Sequence, residues 1–187
     1  MVIQVREKDI EEIEAKLREM NTALNKIGYL ESAVRVPGFS FEIKRFLWKE
    51  LADLYRERKM FEKAAKAMVN KAGIEVMFRD KVESYLSAAE LFTKVGKIDD
   101  AEEMFIRAGR DAGGAEAMKI KLARKNIYLV LARDLEAKGK RLGAVKFYEK
   151  LTKMNLDEAE KSEIREKLLG MYKALGMFRE ARMLGDF

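Results

Sequence analysis

The side chains that could carry chemistry in this sequence are carboxylates, amines, guanidinium groups and hydroxyls, because the chain contains neither cysteine nor histidine. Without cysteine there is no disulfide, thiolate metal site or cysteine nucleophile, and without histidine the commonest general base and metal ligand are missing. The five serines have no histidine to activate them, and carboxylate pairs such as Glu102-Glu103 lie in solvated helical contexts. Catalysis would have to depend on Asp, Glu, Lys or Tyr alone, so we expect no enzyme active site, metal or cofactor.

Positive charge is concentrated between residues 117 and 153. This stretch holds eleven Lys or Arg and three Asp or Glu, a balance of +8, while the whole chain carries +6. Such charge could neutralise phosphates or receive an acidic protein surface, but neither a GxxxxGK[ST] nor a GxGxxG loop accompanies it. We favour an ordinary solvated helix surface and keep a basic patch as the alternative, formed by Lys119, Lys121, Arg124, Lys125, Lys138, Lys140 and Arg141.

The element that must position these side chains is a helical hairpin, seen most clearly in residues 82–110. Its first helix carries an apolar stripe at i, i+3, i+4 and i+7, and Gly96 can adopt the left-handed conformation that ends a helix. Asp99 and Asp100 then favour the positive N-terminus of a second helix. The two predicted stripes are Tyr85, Ala88, Ala89 and Phe92, and Ile98, Ala101, Met104, Phe105 and Ala108.

This hairpin recurs along the chain. Four turn positions align at Lys59, Gly96, Gly139 and Gly176, and an alanine follows five residues after each, at Ala64, Ala101, Ala144 and Ala181. Four residues before the turns stand Tyr55, Phe92, Leu135 and Tyr172. The first-helix aromatic recurs as Trp48, Tyr85 and Tyr128. Repetition of a helix pair is typical of a helical repeat protein, whereas a generic bundle of hairpins is the simpler alternative.

The pattern resembles the tetratricopeptide repeat, and residues 85–108 match it best. The spacing between turns is 37, 43 and 37 residues rather than 34, no repeat ends in proline, and Arg165 replaces the aromatic. Longer, irregular repeats of this kind look more like those of soluble NSF attachment proteins. The resemblance implies an all-α fold, a right-handed stack of antiparallel helical hairpins in which first helices line an inner surface.

We expect one domain with four repeats, at residues 40–73, 74–112, 115–154 and a truncated 157–187. N-terminal helices or a degenerate repeat would fill residues 5–38, with a single long helix from Val5 to Ile27 that Gly28 ends. Residues 74–81 would extend the first helix of the second repeat. Ser40 predicts a helix start, as do the capping-box spacings of Asp9 with Glu12 and of Asp157 with Glu160.

The resemblance also implies a groove on the inner surface that accepts a peptide or a partner helix. Transferred by position, the residues that would face it are Lys49, Asp53, Arg56, Leu86, Glu90, Leu129 and Arg133. They mix charge with apolar area, and they do not match the Lys and Asn set by which some family members bind a C-terminal carboxylate. Solvated positions on an irregular surface remain the alternative.

The sequence shows no apolar segment of the length needed for a signal peptide or a membrane span, so we expect a cytoplasmic protein without membrane contact. Abundant Lys, Arg and Glu with a single glutamine fit a thermophile protein. The apolar end Met183-Leu184-Gly185-Asp186-Phe187 could pair with another subunit, although the arm could equally cover itself.

These observations favour a non-enzymatic adaptor that binds a partner protein. A basic-patch protein that binds nucleic acid or an acidic partner through residues 117–153, and a self-assembling structural module, are the alternatives.

Overall fold

The structure, a computed structural model, describes residues 4–110 and 112–185. Every regular element in these residues is an α-helix, so the predicted all-α class is confirmed for them. The chain divides into two compact units, Met1–Glu116 (unit 1) and Ala117–Phe187 (unit 2). The helices are α1 (Ile10–Glu19), α2 (Ala23–Ala33), α3 (Phe41–Glu57), α4 (Phe61–Gly73), α5 (Phe78–Lys94), α6 (Ile98–Gly109), α7 (Gly114–Ala137), α8 (Arg141–Thr152), α9 (Glu158–Ala174) and α10 (Phe178–Gly185).

The turns of the four hairpins are closed in the same way. Their central residues lie in the left-handed region, with φ of 58° at Lys59, 79° at Gly96, 69° at Gly139 and 72° at Gly176. In each turn the next residue donates its N–H to a carbonyl five residues back, with N to O distances of 2.8 or 2.9 Å. This is the Schellman bond that satisfies an otherwise unpaired carbonyl at a helix end. The acceptors are Tyr55, Phe92, Leu135 and Tyr172, so the predicted turn register is confirmed.

Small residues bring the two helices of each hairpin close together. The alanines five residues after the turns, Ala64, Ala101 and Ala144, are fully buried, and Ala181 is almost so. Ala52, Ala89 and Ala132 on the first helices are also fully buried. Alanine at such contacts lets helix backbones approach closely while larger side chains fill the space to either side. In unit 2 the buried rings of Tyr128 and Phe147 do this, with centroids 5.6 Å apart.

The predicted helix from Val5 to Ile27 is wrong, because the structure breaks it in two. Met20 is extended, and the Thr22 side chain accepts a hydrogen bond from the N–H of Asn25, which starts α2. The apolar stripe continues across this break, and the stripe alone suggested one helix. Gly28 lies inside α2 rather than at a helix end, so the possible degenerate repeat at residues 5–38 has no turn at this glycine.

The predicted extension of α5 through residues 74–81 is also wrong for residues 74–77. Helix α5 begins at Phe78, and Met77 precedes it without a side-chain cap. The side chain of Glu75 forms ion pairs with Arg45 and Lys71 inside unit 1. Helix α4 ends at Gly73, and the ion pair of Glu75 with Arg45 links the segment that follows to α3. Ser40 and Asp157 cap α3 and α9 as predicted, and Asp157 with Glu160 completes a capping box.

Candidate partner-binding grooves

Unit 1 has a groove lined by the first helices of its two consecutive hairpins, α3 and α5, which we call the α3–α5 groove. Its volume is about 430 Å³. Helix α3 contributes residues three or four positions apart, which places them on one face of that helix. From α3 these are Arg45, Lys49, Asp53 and Arg56, and from α5 they include Glu83, Ser84 and Ser87.

The floor of the α3–α5 groove is a nearly buried ionic cluster around Glu75, whose side chain is only 6% exposed. Arg45 Nε lies 3.6 Å from a Glu75 carboxylate oxygen, and Lys71 forms a second ion pair with the same carboxylate. Lys71 also donates a hydrogen bond of 3.1 Å to Ser84 Oγ. Removing one partner of such a buried pair leaves an uncompensated charge, so the cluster holds α3, α4 and α5 in one arrangement.

The rim of the same groove carries charges that solvent and a ligand can reach. Arg56 lies 3.4 Å from Asp53 and donates a hydrogen bond to Ser87 Oγ, so it links α3 to α5. Lys49 is 61% exposed and its nearest carboxylate, Glu50, is 3.8 Å away. An exposed pair at this distance contributes little, so Lys49 is only weakly paired.

Unit 2 has a comparable groove, the α7–α9 groove, with a volume of about 570 Å³. Three ion pairs join the two helices: Lys125 to Glu160 at 2.6 Å, Arg133 to Glu163 at 2.9 Å and Lys167 to Glu136 at 2.9 Å. The groove is lined by charged side chains over a floor of small ones. The lining includes Glu136, Arg141, Glu163, Glu166, Lys167 and Gly170.

Gly170 gives the α7–α9 groove part of its width. It lies inside α9, where glycine is less favourable than alanine by roughly 0.5–1 kcal/mol. Apart from the neighbouring residues and backbone of α9 itself, no atom of the described residues lies within 4 Å of the position that a Cβ would occupy, so close packing does not require glycine here. The missing side chain leaves open space on the groove floor.

Buried tyrosines donate hydrogen bonds to glutamates in both units. In unit 2, Tyr148 Oη lies 2.8 Å from Glu136 and Tyr172 Oη lies 2.7 Å from Glu149. Burial raises the pKa of Tyr148, and its bond to Glu136 raises it further. Burial also raises the pKa of Glu136, but hydrogen bonds from Lys167 and Tyr148 outweigh this and leave its pKa below the usual value. In unit 1, Tyr29 and Tyr55 make the same kind of bond with Glu7 and Glu31.

The residues that the resemblance places on a binding surface are distributed over the two units. Lys49, Asp53 and Arg56 lie together in the α3–α5 groove. Leu86, half-buried, and Glu90, exposed and paired with Lys94 at 2.7 Å, lie elsewhere on α5. In unit 2, Leu129 is half-buried on α7 and Arg133 is paired with Glu163 beside the α7–α9 groove. Binding at all seven positions stays a prediction.

The residues of the predicted basic patch occupy different sites in unit 2. Arg141 lines the α7–α9 groove, Lys138 pairs with Asp134 at 2.7 Å, and Lys119 and Lys140 are exposed. Lys121, Arg124 and Lys125 instead line a separate cavity of about 350 Å³, together with Lys153, Met118, Leu122 and Met154. We call this cavity the basic pocket.

Sequence reasoning missed the cluster of Arg45, Lys71 and Glu75, because residues 74–77 read as helix and nothing local places Glu75 beside α3. It also missed Gly170. A glycine within an otherwise helical pattern is the signal that could have identified this position.

These grooves offer ion pairs and hydrogen bonds rather than reactive groups. Among residues 4–110 and 112–185 no cluster of acidic side chains is arranged to hold a metal ion. Over the same ranges none of the helices has the length and apolarity needed to cross a bilayer. The self-association predicted for residues 183–187 falls partly on Asp186 and Phe187, which lie outside the described residues.

No protein-family model and no curated protein sequence matches this chain. Among solved structures it is similar to the TPR-like repeats of a kinesin light chain from Podosopora anserina, at 16% identity and a TM-score of 0.41 over 94% of this chain and 89% of that one. It is also similar to BtubC (BKLC) from P. vanneervenii, at 17% identity and a TM-score of 0.43 over 95% of this chain and 77% of that one. The hairpins described above, with their common turn and alanine register, form a TPR-like helical repeat fold.

Proposed function

We propose that this chain is a non-enzymatic adaptor that binds a segment of another protein, a peptide or a helix, through the α3–α5 groove and the α7–α9 groove. Helical repeat proteins commonly use the surface formed by successive helices to hold a partner. The observation that carries the proposal is the α3–α5 groove, in which a fixed ionic floor lies beneath exposed, weakly paired charges.

The floor and the rim have different roles in this proposal. The ion pairs of Glu75 with Arg45 and Lys71 hold three helices in place before a partner arrives, so little ordering is needed on binding. Lys49, Asp53 and Arg56 then offer both signs of charge along one helix face. A bound segment should therefore carry acidic residues opposite Lys49 and Arg56 and a basic residue opposite Asp53, because like charges would repel.

The chemistry of the tyrosines favours binding over catalysis. Tyrosine is one of the few acid–base groups left in a chain without histidine or cysteine. Yet burial and glutamate partners raise the pKa of Tyr29, Tyr55, Tyr148 and Tyr172. Each is therefore a poorer acid or base at neutral pH than a free tyrosine, and each hydroxyl already has a structural partner.

The proposal can be tested by quantitative affinity capture from a lysate of the source organism. The variant Arg56→Glu reverses a groove charge and places like charges beside Asp53. Arg107→Glu on α6 is the matched control, because Arg107 is 38% exposed and pairs with Glu103, while Arg56 is 39% exposed and pairs with Asp53. Arg133→Glu tests the α7–α9 groove in the same experiment.

We expect at least one protein captured by the wild type to be lost with Arg56→Glu or Arg133→Glu and retained with Arg107→Glu. If the wild type and all three variants capture the same proteins in equal amounts, the grooves do not bind the partner.

A further inference from the structure

We propose that the basic pocket of unit 2 is a second docking site, which binds an acidic segment of a partner protein and takes up one of its apolar side chains. The site is separate from the α3–α5 groove and the α7–α9 groove, so the proposal does not depend on either of them. It is based on the charge, the exposed apolar area and the pairing of the side chains that line this pocket.

The charge of the pocket has one sign. Among the described residues, the charged side chains that line it are Lys121, Arg124, Lys125 and Lys153, without a carboxylate. In the α7–α9 groove of the same unit, by contrast, the cations lie among the acids Glu136, Glu163 and Glu166. A concave site in which the charged side chains are cations raises the local concentration of acidic ligands and repels basic ones.

Two of the four cations are held in position and two remain available. Lys125 is fixed by its 2.6 Å ion pair with Glu160, and the Arg124 guanidinium lies 5.9 Å from the centroid of the Tyr128 ring. Lys121 and Lys153 are exposed, and neither forms an ion pair within the described part of the chain. A partner's carboxylates would therefore meet two lysines that do not have to give up an ion pair.

The apolar part of the pocket lies between these charges. Met118 and Leu122 are one helical turn apart on α7, and they are 65% and 50% exposed. Met154, half-buried, completes the lining from the segment after α8. Methionine is flexible and polarisable, so a surface of two methionines and a leucine can adapt to an inserted apolar side chain.

This lining favours an acidic peptide over nucleic acid. Sites for single-stranded nucleic acid combine a positively charged groove with aromatic side chains on which bases stack, and the described lining of this pocket includes no aromatic residue. The nearby Tyr128 ring is fully buried beneath Arg124, so no base can reach it. Exposed methionine and leucine add nothing to phosphate binding, whereas they give an apolar side chain a surface to cover.

The experiment is a selection from a random-peptide display library with the immobilised full-length protein. Recovered peptides are titrated by fluorescence anisotropy against the wild type and the double variant Lys121→Glu/Lys153→Glu. The matched control is Lys146→Glu/Lys173→Glu, which makes the same charge change at two exposed lysines of α8 and α9 outside the pocket. Met118→Ser/Leu122→Ser tests the apolar lining, and Arg56→Glu in unit 1 separates this site from the α3–α5 groove.

We expect a class of peptides that combines several acidic residues with an apolar one. Their affinity should fall about ten-fold or more with Lys121→Glu/Lys153→Glu and clearly with Met118→Ser/Leu122→Ser, but less than about two-fold with the control and with Arg56→Glu. Circular dichroism of each variant must show unchanged helicity, and a variant that fails this is replaced by the neutral Lys121→Gln/Lys153→Gln.

The proposal is overturned if no such class is recovered, or if the recovered acidic peptides bind the pocket variants as tightly as the wild type. It is also overturned if a labelled single-stranded RNA binds in a Lys121- and Lys153-dependent manner with steep salt dependence while the peptides do not.

Discussion

At the residue scale, Lys59 shows that the turn of a repeat can be predicted even where the usual glycine is absent. It stands where the other three hairpins have glycine, and it adopts the same left-handed conformation with φ of 58°. The alignment of Tyr55, four residues earlier, and Ala64, five residues later, predicts the turn although glycine is absent. For a lysine this conformation costs roughly 1 kcal/mol, because its Cβ crowds the backbone.

Replacing Lys59 with glycine should therefore stabilise the protein. We expect the free energy of unfolding to rise by about 0.5–1 kcal/mol, with Gly96→Ala as the opposite change that lowers it by about 1 kcal/mol or more. Urea denaturation followed by circular dichroism measures both. A Lys59→Gly protein that is no more stable than the wild type would show that the turn is not strained.

Tyr148 allows a prediction that depends on pH. Tyr148→Phe removes the hydrogen bond to Glu136 and should cost about 1–2 kcal/mol at pH 7, where Lys167 still binds the carboxylate. Because the folded-state pKa of Tyr148 is raised, its contribution is fully present below the unfolded value near 10. Above that pH the unfolded chain releases the proton first and stability is lost. The free energy of unfolding, measured between pH 8 and 11, should decrease less steeply with pH in Tyr148→Phe than in the wild type. Equal slopes would contradict this account.

At the element scale, local cap signals predicted the starts of individual helices. They did not predict every helix break or the contacts between residues distant in the sequence. Ser40 and the Asp157–Glu160 box identified α3 and α9, because a cap acts within one turn of its helix. The break between α1 and α2 was missed because apolar periodicity continues across it. The conformation of residues 74–77 brings Glu75 to Arg45, thirty residues earlier in the chain, and nothing in the local sequence indicates that contact. For the same reason the sequence could suggest groove positions on α3 but not the ionic floor beneath them.

Substitutions at Gly170 distinguish an effect on the stability of α9 from an effect on binding in the α7–α9 groove. Gly170→Ala should raise the free energy of unfolding by about 0.5–1 kcal/mol, since the Cβ meets open space inside a helix. Gly170→Leu should keep the fold but fill the floor of the α7–α9 groove. We expect a partner that depends on Arg133 to bind Gly170→Ala and to be lost with Gly170→Leu, as measured by affinity capture. Equal capture by both variants would place that partner elsewhere.

At the scale of the whole molecule, charge is unevenly divided between the two units. Unit 2 contains seventeen Lys or Arg and ten Asp or Glu, a balance of +7, whereas unit 1 has a balance of −1. Both units have a groove of mixed charge, and unit 2 has in addition the basic pocket, where the charged side chains among the described residues are cations. An adaptor with two such sites could bind two segments of one partner, and linking them would raise the overall affinity beyond that of either segment alone.

The whole molecule should also be stable to heat. Several ion pairs join different elements within a unit, among them Lys97, which precedes α6, to Glu62 of α4 at 2.8 Å and Lys167 of α9 to Glu136 of α7 at 2.9 Å. The cost of desolvating such pairs falls as temperature rises, so networks of them favour thermal stability. We expect a thermal unfolding midpoint above the mesophile range of about 45–65 °C, measured by circular dichroism at low salt. A midpoint within that range would contradict the predicted thermophile character.

The most direct test of the proposed adaptor function is site-specific photo-cross-linking in a lysate of the source organism. A photoreactive amino acid replaces Lys49 in the α3–α5 groove, and in a control protein it replaces Arg107 on α6. The account predicts that Lys49 cross-links to one defined segment of a partner protein and that Arg107 does not. Cross-links of equal yield at both positions, or none at Lys49, would contradict it.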